Sequence, residues 1–222
     1  MAISKLNFNS LNVTPTAGKA VSFDSGADDL EATLSGGSMV FIKKLTASSS
    51  GTLTFHNGTD SVVLDNTYKE YVFVFNNIHP SSNTTDFTFQ GNAVGGSGFD
   101  ESITSTFVNA YHDEADSGIG FRFLDGENRS QNNETAFNLI SVSNIGNDND
   151  QCMAGTLTLF NPSSTTFVKH FIVNTQQTVR DDYIMNNYVA GYFNTTAAID
   201  EIQFKMASGN IDAGTITLYG IA

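Results

Sequence analysis

The stretch NAYHDEADSG, residues 109–118, sets a histidine and three acids side by side. Histidine among carboxylates suits a metal ion or an acid–base pair, provided that His112, Asp113, Glu114 and Asp116 converge. On a strand, adjacent side chains point to opposite faces, so His112 and Asp113 share a site only if the chain turns there. HDEADSG has the composition of such a turn, and its spacing matches neither a zinc motif nor an EF-hand loop. A second acidic loop, GNDNDQ (residues 146–151), adds Asp148 and Asp150. If the two loops lie at one end of the fold, Asp113, Glu114, Asp116, Asp148 and Asp150 make up a candidate calcium site. The competing expectation is a pair of solvated turns whose acids accept hydrogen bonds from nearby backbone N–H groups. Apart from calcium, no cofactor is expected.

The remaining reactive side chains point away from catalysis. His56 stands beside a turn in FHNGTD and His79 precedes Pro80. His170 lies in FVKHFIV, where Phe167 and Phe171 are expected to pack. No Ser, Cys or Asp spacing makes any of them the base of a nucleophile, so no catalytic residue is assigned. Cys152 is the lone cysteine, which excludes an internal disulfide and a cysteine zinc site and suits a small core residue. GNAVGGSG (residues 91–98) reads as a flexible turn, since it lacks the Lys-Ser/Thr of a phosphate-cradling loop. Tyr183, Tyr188, Tyr192 and Phe193 could stack on sugar rings, which makes a carbohydrate-binding module a competing function and a host-surface glycan a candidate partner; the absence of Trp weakens it.

The elements that must carry these residues are strands. SVVLD (61–65), EYVFVF (70–75), DFTFQ (86–90), GTLTLF (155–160) and IQFKM (202–206) are short runs of β-branched and aromatic residues separated by Gly, Ser, Asn and Asp. In IQFKM, Ile202, Phe204 and Met206 alternate with Gln203 and Lys205, which predicts one buried and one wet face. YVFVF is apolar throughout and predicts a strand covered on both faces, by a second sheet or by another subunit. No stretch combines a 3.6-residue apolar period with caps. The expected fold is therefore all-β: an antiparallel β-sandwich, jelly-roll-like, with its body over residues 38–222. Residues 1–37, less regular and carrying Pro15 and the acidic DSGADD (24–29), read as an attachment arm or as the first strands.

Composition narrows the function. A net charge of −13, with only 10 Lys and Arg scattered along 222 residues, argues against a nucleic-acid partner. The first ten residues lack the apolar core of a signal peptide, and no run of about 18 apolar residues appears, so neither Sec export nor membrane insertion is expected. The doubly apolar EYVFVF and the aromatics of DDYIMNNYVAGYF (181–193) predict more apolar surface than a lone sandwich can cover, hence a homo-oligomer, with a trimer as the expected form.

At the carboxyl end, IDEIQFKMASGNIDAGTITLYGIA (199–222) reads as two strands about the turn ASGNIDAG. This segment resembles the closing hairpin of a family of virion structural proteins in tailed phages, especially phages of marine bacteria. YVFVFNNIHP (71–80), NAYHDEADSG and GNDNDQCMAGTLTLFNPSSTTFVKHFI (146–172) resemble the same family, so the likeness runs over roughly residues 69–222. MAISKLNF resembles the start of some phage appendage proteins. The resemblance implies a non-enzymatic protein on the virion exterior, made in the cytoplasm of the host bacterium and bound to other virion proteins of the tail or the capsid. Tail fibre or appendage is the expected place. A head decoration or cement protein is the alternative, because many fibre proteins carry a long shaft that this sequence lacks.

Overall fold

The computed structural model describes residues 38–126, 130–141 and 145–222, together with the backbone of 20–23 and 30–33. The acidic stretch 24–29 and the first 19 residues of the expected arm lie outside the described residues. The strands are β1 (Ala20–Phe23), β2 (Leu30–Thr33), β3 (Met39–Thr46), β4 (Leu53–His56) and β5 (Glu70–Pro80). They continue as β6 (Phe87–Ala93), β7 (Ile103–Asp113), β8 (Ile119–Leu124), β9 (Asn132–Glu134) and β10 (Asn138–Leu139). The series ends with β11 (Met153–Phe160), β12 (Lys169–Thr178), β13 (Tyr183–Phe193), β14 (Ile199–Met206) and β15 (Ile211–Ile221). No helix occurs among the described residues.

Two units divide the chain, residues 1–40 together with Ala222, and Phe41–Ile221. In the first, β1 and β2 pair antiparallel, Ala20 opposite Thr33. The second contains two sheets. The larger runs β3-β15-β5-β11-β12-β13-β7-β8, with β9 also paired to β7, and the smaller runs β10-β6-β14-β4. Strands β4 to β7 alternate between the two sheets, as do β13 to β15, which gives the sandwich its jelly-roll-like crossings.

Aromatic rings close the space between the sheets. Phe204 of β14 meets Phe73 and Phe75 of β5 at 5.3 Å between ring centroids, and lies within 6.4 Å of Phe55, Phe87 and Phe89. Phe89 meets Phe171 of β12 edge-on at 4.9 Å. The expected alternation of IQFKM holds, with Ile202, Phe204 and Met206 buried and Gln203 and Lys205 half-buried.

Four expectations about strands are corrected. The strand covered on both faces is β6, buried at all seven positions: Phe87 and Phe89 pack on the larger sheet, while on the other face Gln90 donates to the carbonyls of Glu101, Thr135 and Ala136 in the segments that cross it. In β5, Tyr71, Phe73 and Phe75 are buried while Val72 and Val74 are half-buried on the outer face. SVVLD forms no strand: Asp60 and Ser61 both take positive φ, and the chain beyond them drops Val62 and Leu64 into the core in irregular conformation. Of the stretch 91–98 read as a turn, Gly91–Ala93 instead belong to β6. The carboxyl-terminal pair is not a hairpin either. β14 pairs with β4 and β6, whereas β15 pairs with β5, so the link between them crosses from one sheet to the other.

The inner face of the larger sheet also buries polar groups, and each is held by hydrogen bonds. Asn109 Nδ2 donates to Asn187 Oδ1 at 3.0 Å, and Asn187 Nδ2 donates to Thr175 Oγ1 at 3.3 Å and Gln177 Oε1 at 3.2 Å. The Tyr71 hydroxyl donates to the Asp65 carbonyl at 2.9 Å, and burial pushes its pKa up to about 12. A raised folded pKa stabilises the fold below the ordinary tyrosine value of 10 and loses that contribution as pH rises through 12. Unfolding measured from pH 9 to 12 is therefore expected to show an alkaline loss of stability that Tyr71→Phe reduces.

Candidate functional site

The turn after β7 is built by Asp113. Its carboxylate accepts the Ser117 N–H at 2.8 Å and the Ser117 hydroxyl at 2.5 Å, and its own N–H donates to the Gly118 carbonyl at 2.9 Å. Asp116 takes a positive φ of 56°, a conformation aspartate tolerates, and this carries its carboxylate back to His112 Nε2 at 3.1 Å. His112 and Asp113 point to opposite faces, as alternation requires: His112 is exposed and Asp113 buried. The Ser117 hydroxyl, with further backbone hydrogen bonds, holds the Asp113 carboxyl below its ordinary value of 3.8.

The two acidic loops do reach one end of the sandwich. His112, Asp113, Glu114, Asp150, Gln151 and Asp182 border the same cleft of about 230 Å³. Their carboxylates do not gather there: among the described residues no three of His, Cys, Asp and Glu lie close enough to hold a metal ion. Asp113 is engaged by Ser117, while Glu114, Asp116, Asp148 and Asp150 are exposed. Asp148 and Asp150 order their loop through main-chain carbonyls, which accept from the Gln151 N–H at 2.9 Å and the Thr178 hydroxyl at 3.1 Å. Of these acids, Asp113 shapes its turn through its carboxylate, whereas Asp148 and Asp150 contribute main-chain carbonyls.

Replacing Asp113, Glu114 and Asp116 by Asn or Gln is expected to leave assembly intact and to lower thermal stability slightly at neutral pH. The depressed pKa of Asp113 means that its contribution is present above the ordinary value of 3.8 and disappears as pH falls through the folded value. Calorimetry of wild type and variant should therefore converge on acidification.

The four aromatic residues read as a sugar platform are split by strand alternation. Phe193 is fully buried in the core and Tyr183 packs against Tyr111, with centroids 5.9 Å apart. Tyr188 and Tyr192 lie on the outer face, the latter beside His170 at 5.7 Å. Phe167 is exposed rather than packed, and Cys152 is half-buried rather than in the core. Among the other histidines, His56 Nδ1 meets Glu201 at 2.9 Å and His79 Nδ1 lies 3.6 Å from Asp212.

Sequence reasoning passed over Lys169, whose side chain is fully buried. Its ammonium donates to the carbonyls of Phe167 at 3.0 Å and Thr195 at 3.1 Å, and burial lowers its pKa. The signal was present: Lys169, Phe171 and Val173 share the inward phase of β12.

A larger feature emerges from the same alternation. On the outer face of the larger sheet, β8 presents Ile119, Phe121 and Phe123 at 80%, 72% and 61% exposure. Pairing sets Ile119 opposite His112, Phe121 opposite Ala110 and Phe123 opposite Val108. Ile184 and Tyr188 of β13 continue the face beside His112 and Val108, and Ile172 of β12 extends it opposite Ala190. All three of these residues are exposed. A trough of about 590 Å³ runs between Ile119, Phe121 and Ile184.

No outward position on β11, β12, β13, β7 or β8 carries Asp, Glu, Lys or Arg. Arg122, the charged residue of β8, turns to the other side and lays its guanidinium over the Tyr111 ring at 4.9 Å.

These features define an antiparallel β-sandwich with one broad, uncharged and partly aromatic sheet face. No protein-family model, curated protein or solved structure matches the chain.

Proposed function

We propose that this chain is a non-enzymatic structural protein on the exterior of a tailed-phage virion, a component of a tail fibre or similar appendage. The observation that carries the assembly reading is the uncharged outer face of β11, β12, β13, β7 and β8, with Ile119, Phe121, Phe123 and Ile184 in water. An exposed apolar face of this breadth is a surface for a macromolecular partner. The cleft bounded by the acidic loops offers no comparable support for catalysis, because its carboxylates point apart or serve the turn.

The phage reading rests on the resemblance of residues 69–222, and charge supports the exterior. At −13, the chain set against packaged DNA would meet phosphate repulsion across most of its surface. Immunogold labelling of intact virions tests the proposal. Gold at the tail is the expected result, and gold spread over the head would move the protein to capsid decoration. Labelling only after particles are opened would overturn the exterior reading.

A further inference from the structure

We infer that the uncharged outer face of β11, β12, β13, β7 and β8 is covered by the same face of a second copy of this chain. The inference rests on the assembly reading above and names its partner.

Two observations select a second copy. The first is charge. Two copies each carrying −13 repel wherever their acidic surfaces meet, so close association needs a face free of that charge. The outward positions of β11, β12, β13, β7 and β8 carry no Asp, Glu, Lys or Arg in either copy, and the exposed Asp116 carboxylate, which reaches His112 at 3.1 Å, marks the edge of the face at the end of β7. A cationic partner would gain nothing on this face and would be drawn to the acidic remainder of the surface.

The second observation is size. Strands of about nine residues at about 3.3 Å each, set side by side at about 4.8 Å, give these five strands about 700 Å². A stable interface buries about 800 Å² per partner, so the neutral face alone nearly meets the requirement. Its chemistry fits as well: the aromatic and aliphatic residues Phe121, Phe123, Ile184 and Tyr188 stand near its β8 side, and Asn186 donates to Asn174 at 3.1 Å across β13 and β12, leaving the second amide groups of the pair for polar contact. Such a face is self-complementary, apolar against apolar and amide against amide, which is what contact between identical surfaces demands.

Sedimentation velocity on the purified full chain at micromolar concentration tests the inference, with Phe121→Glu and Ile184→Glu as variants. Both side chains are exposed, at 72% and 45%, so the fold should survive either change, and an unchanged circular dichroism spectrum and thermal midpoint would check this. The wild type should sediment at twice the 23.9 kDa monomer mass. Each variant should weaken association by about 100-fold or more, since every contact would then bring carboxylates against an apolar or like-charged surface. A monomeric wild type overturns the inference, as does an oligomer that neither variant weakens. Binding of each variant to virions lacking the protein separates this failure from that of the virion reading. A monomer that binds particles through Phe121 assigns the face to another virion protein and removes the second copy, whereas a chain that binds no particle removes the virion reading and leaves the self-association result standing.

Discussion

Phe204→Ala is expected to destabilise the fold by about 3–5 kcal/mol, a large share of the stability of an ordinary domain. Phe204 has no exposed surface and stands at the centre of the ring cluster, touching Phe73 and Phe75 of the larger sheet and Phe55, Phe87 and Phe89 of its own. Removing the ring takes away both the transfer free energy of an aromatic side chain and the edge-on contacts between the two sheets. Phe73, Phe75, Phe87 and Phe89 belong to β5 and β6, each hydrogen-bonded on both sides, so collapse around the cavity is limited. Chemical denaturation should show a lower midpoint with an unchanged slope. Leu at the same position should recover a good part of the loss, because it refills volume without the ring geometry.

Gly155→Ala should be comparably damaging for a different reason. Gly155 lies where β11 bulges against β5, at a φ of 147° that side chains rarely adopt. A Cβ there would come within 2.3 Å of the Asn174 carbonyl oxygen and 2.6 Å of the Thr175 Cα. Both contacts are backbone atoms of the paired strand β12, so no rotamer change relieves them. Either the ladder between β11 and β12 opens or the bulge shifts, and the expected cost is several kcal/mol, well beyond the roughly 1 kcal/mol of an exposed glycine replacement. Thermal denaturation of the variant measures it, and a midpoint within a degree or two of wild type would contradict this reading of the bulge.

The sequence displays the strands more clearly than their neighbours. In IQFKM, period-two alternation was enough to orient β14, because one phase is wholly apolar and the other wholly polar. For YVFVF both phases are apolar, and composition has no means of saying whether a second sheet or water lies over Val72 and Val74. The covering of β6 depends on the segments around Glu101 and Thr135–Ala136 that lie over its outer face, a tertiary fact rather than a local pattern. The same limit applies to the carboxyl-terminal strands. A short polar link between two strands reads as a hairpin, yet residues 207–210 carry the chain from the smaller sheet to the larger because β14 already has partners on both edges.

The candidate site divides in a similar way. The turn at 113–118 was legible, since Asp, Ser and Gly at those positions have local hydrogen-bonding and conformational reasons to turn. The neutral face was only half legible. β12 alternates Lys169, Phe171, Val173, Thr175 and Gln177 inward with His170, Ile172, Asn174 and Gln176 outward, and neither set is decisively more apolar. Only the pairing of β12 with β13 and of β7 with β8 reveals that the uncharged outward sets line up across strands into one surface. Ile184 and Tyr188 are the exposed apolar residues of the stretch read as aromatic-rich, while in β8, which contributes the most exposed side chains of the face, the alternation of Ile119, Phe121 and Phe123 with Gly120 and Arg122 points the apolar phase inward and the structure turns it outward.

The central claim is that this sandwich is an exterior virion component whose neutral sheet face is closed by protein. A cryo-EM map of the intact particle measures this most directly. The account predicts density for the chain outside the capsid or along the tail, with Ile119, Phe121 and Ile184 of each copy packed against a neighbouring copy. A map that places the chain on the particle with this face open to solvent, or that contains no density for it outside the DNA compartment, would contradict the account.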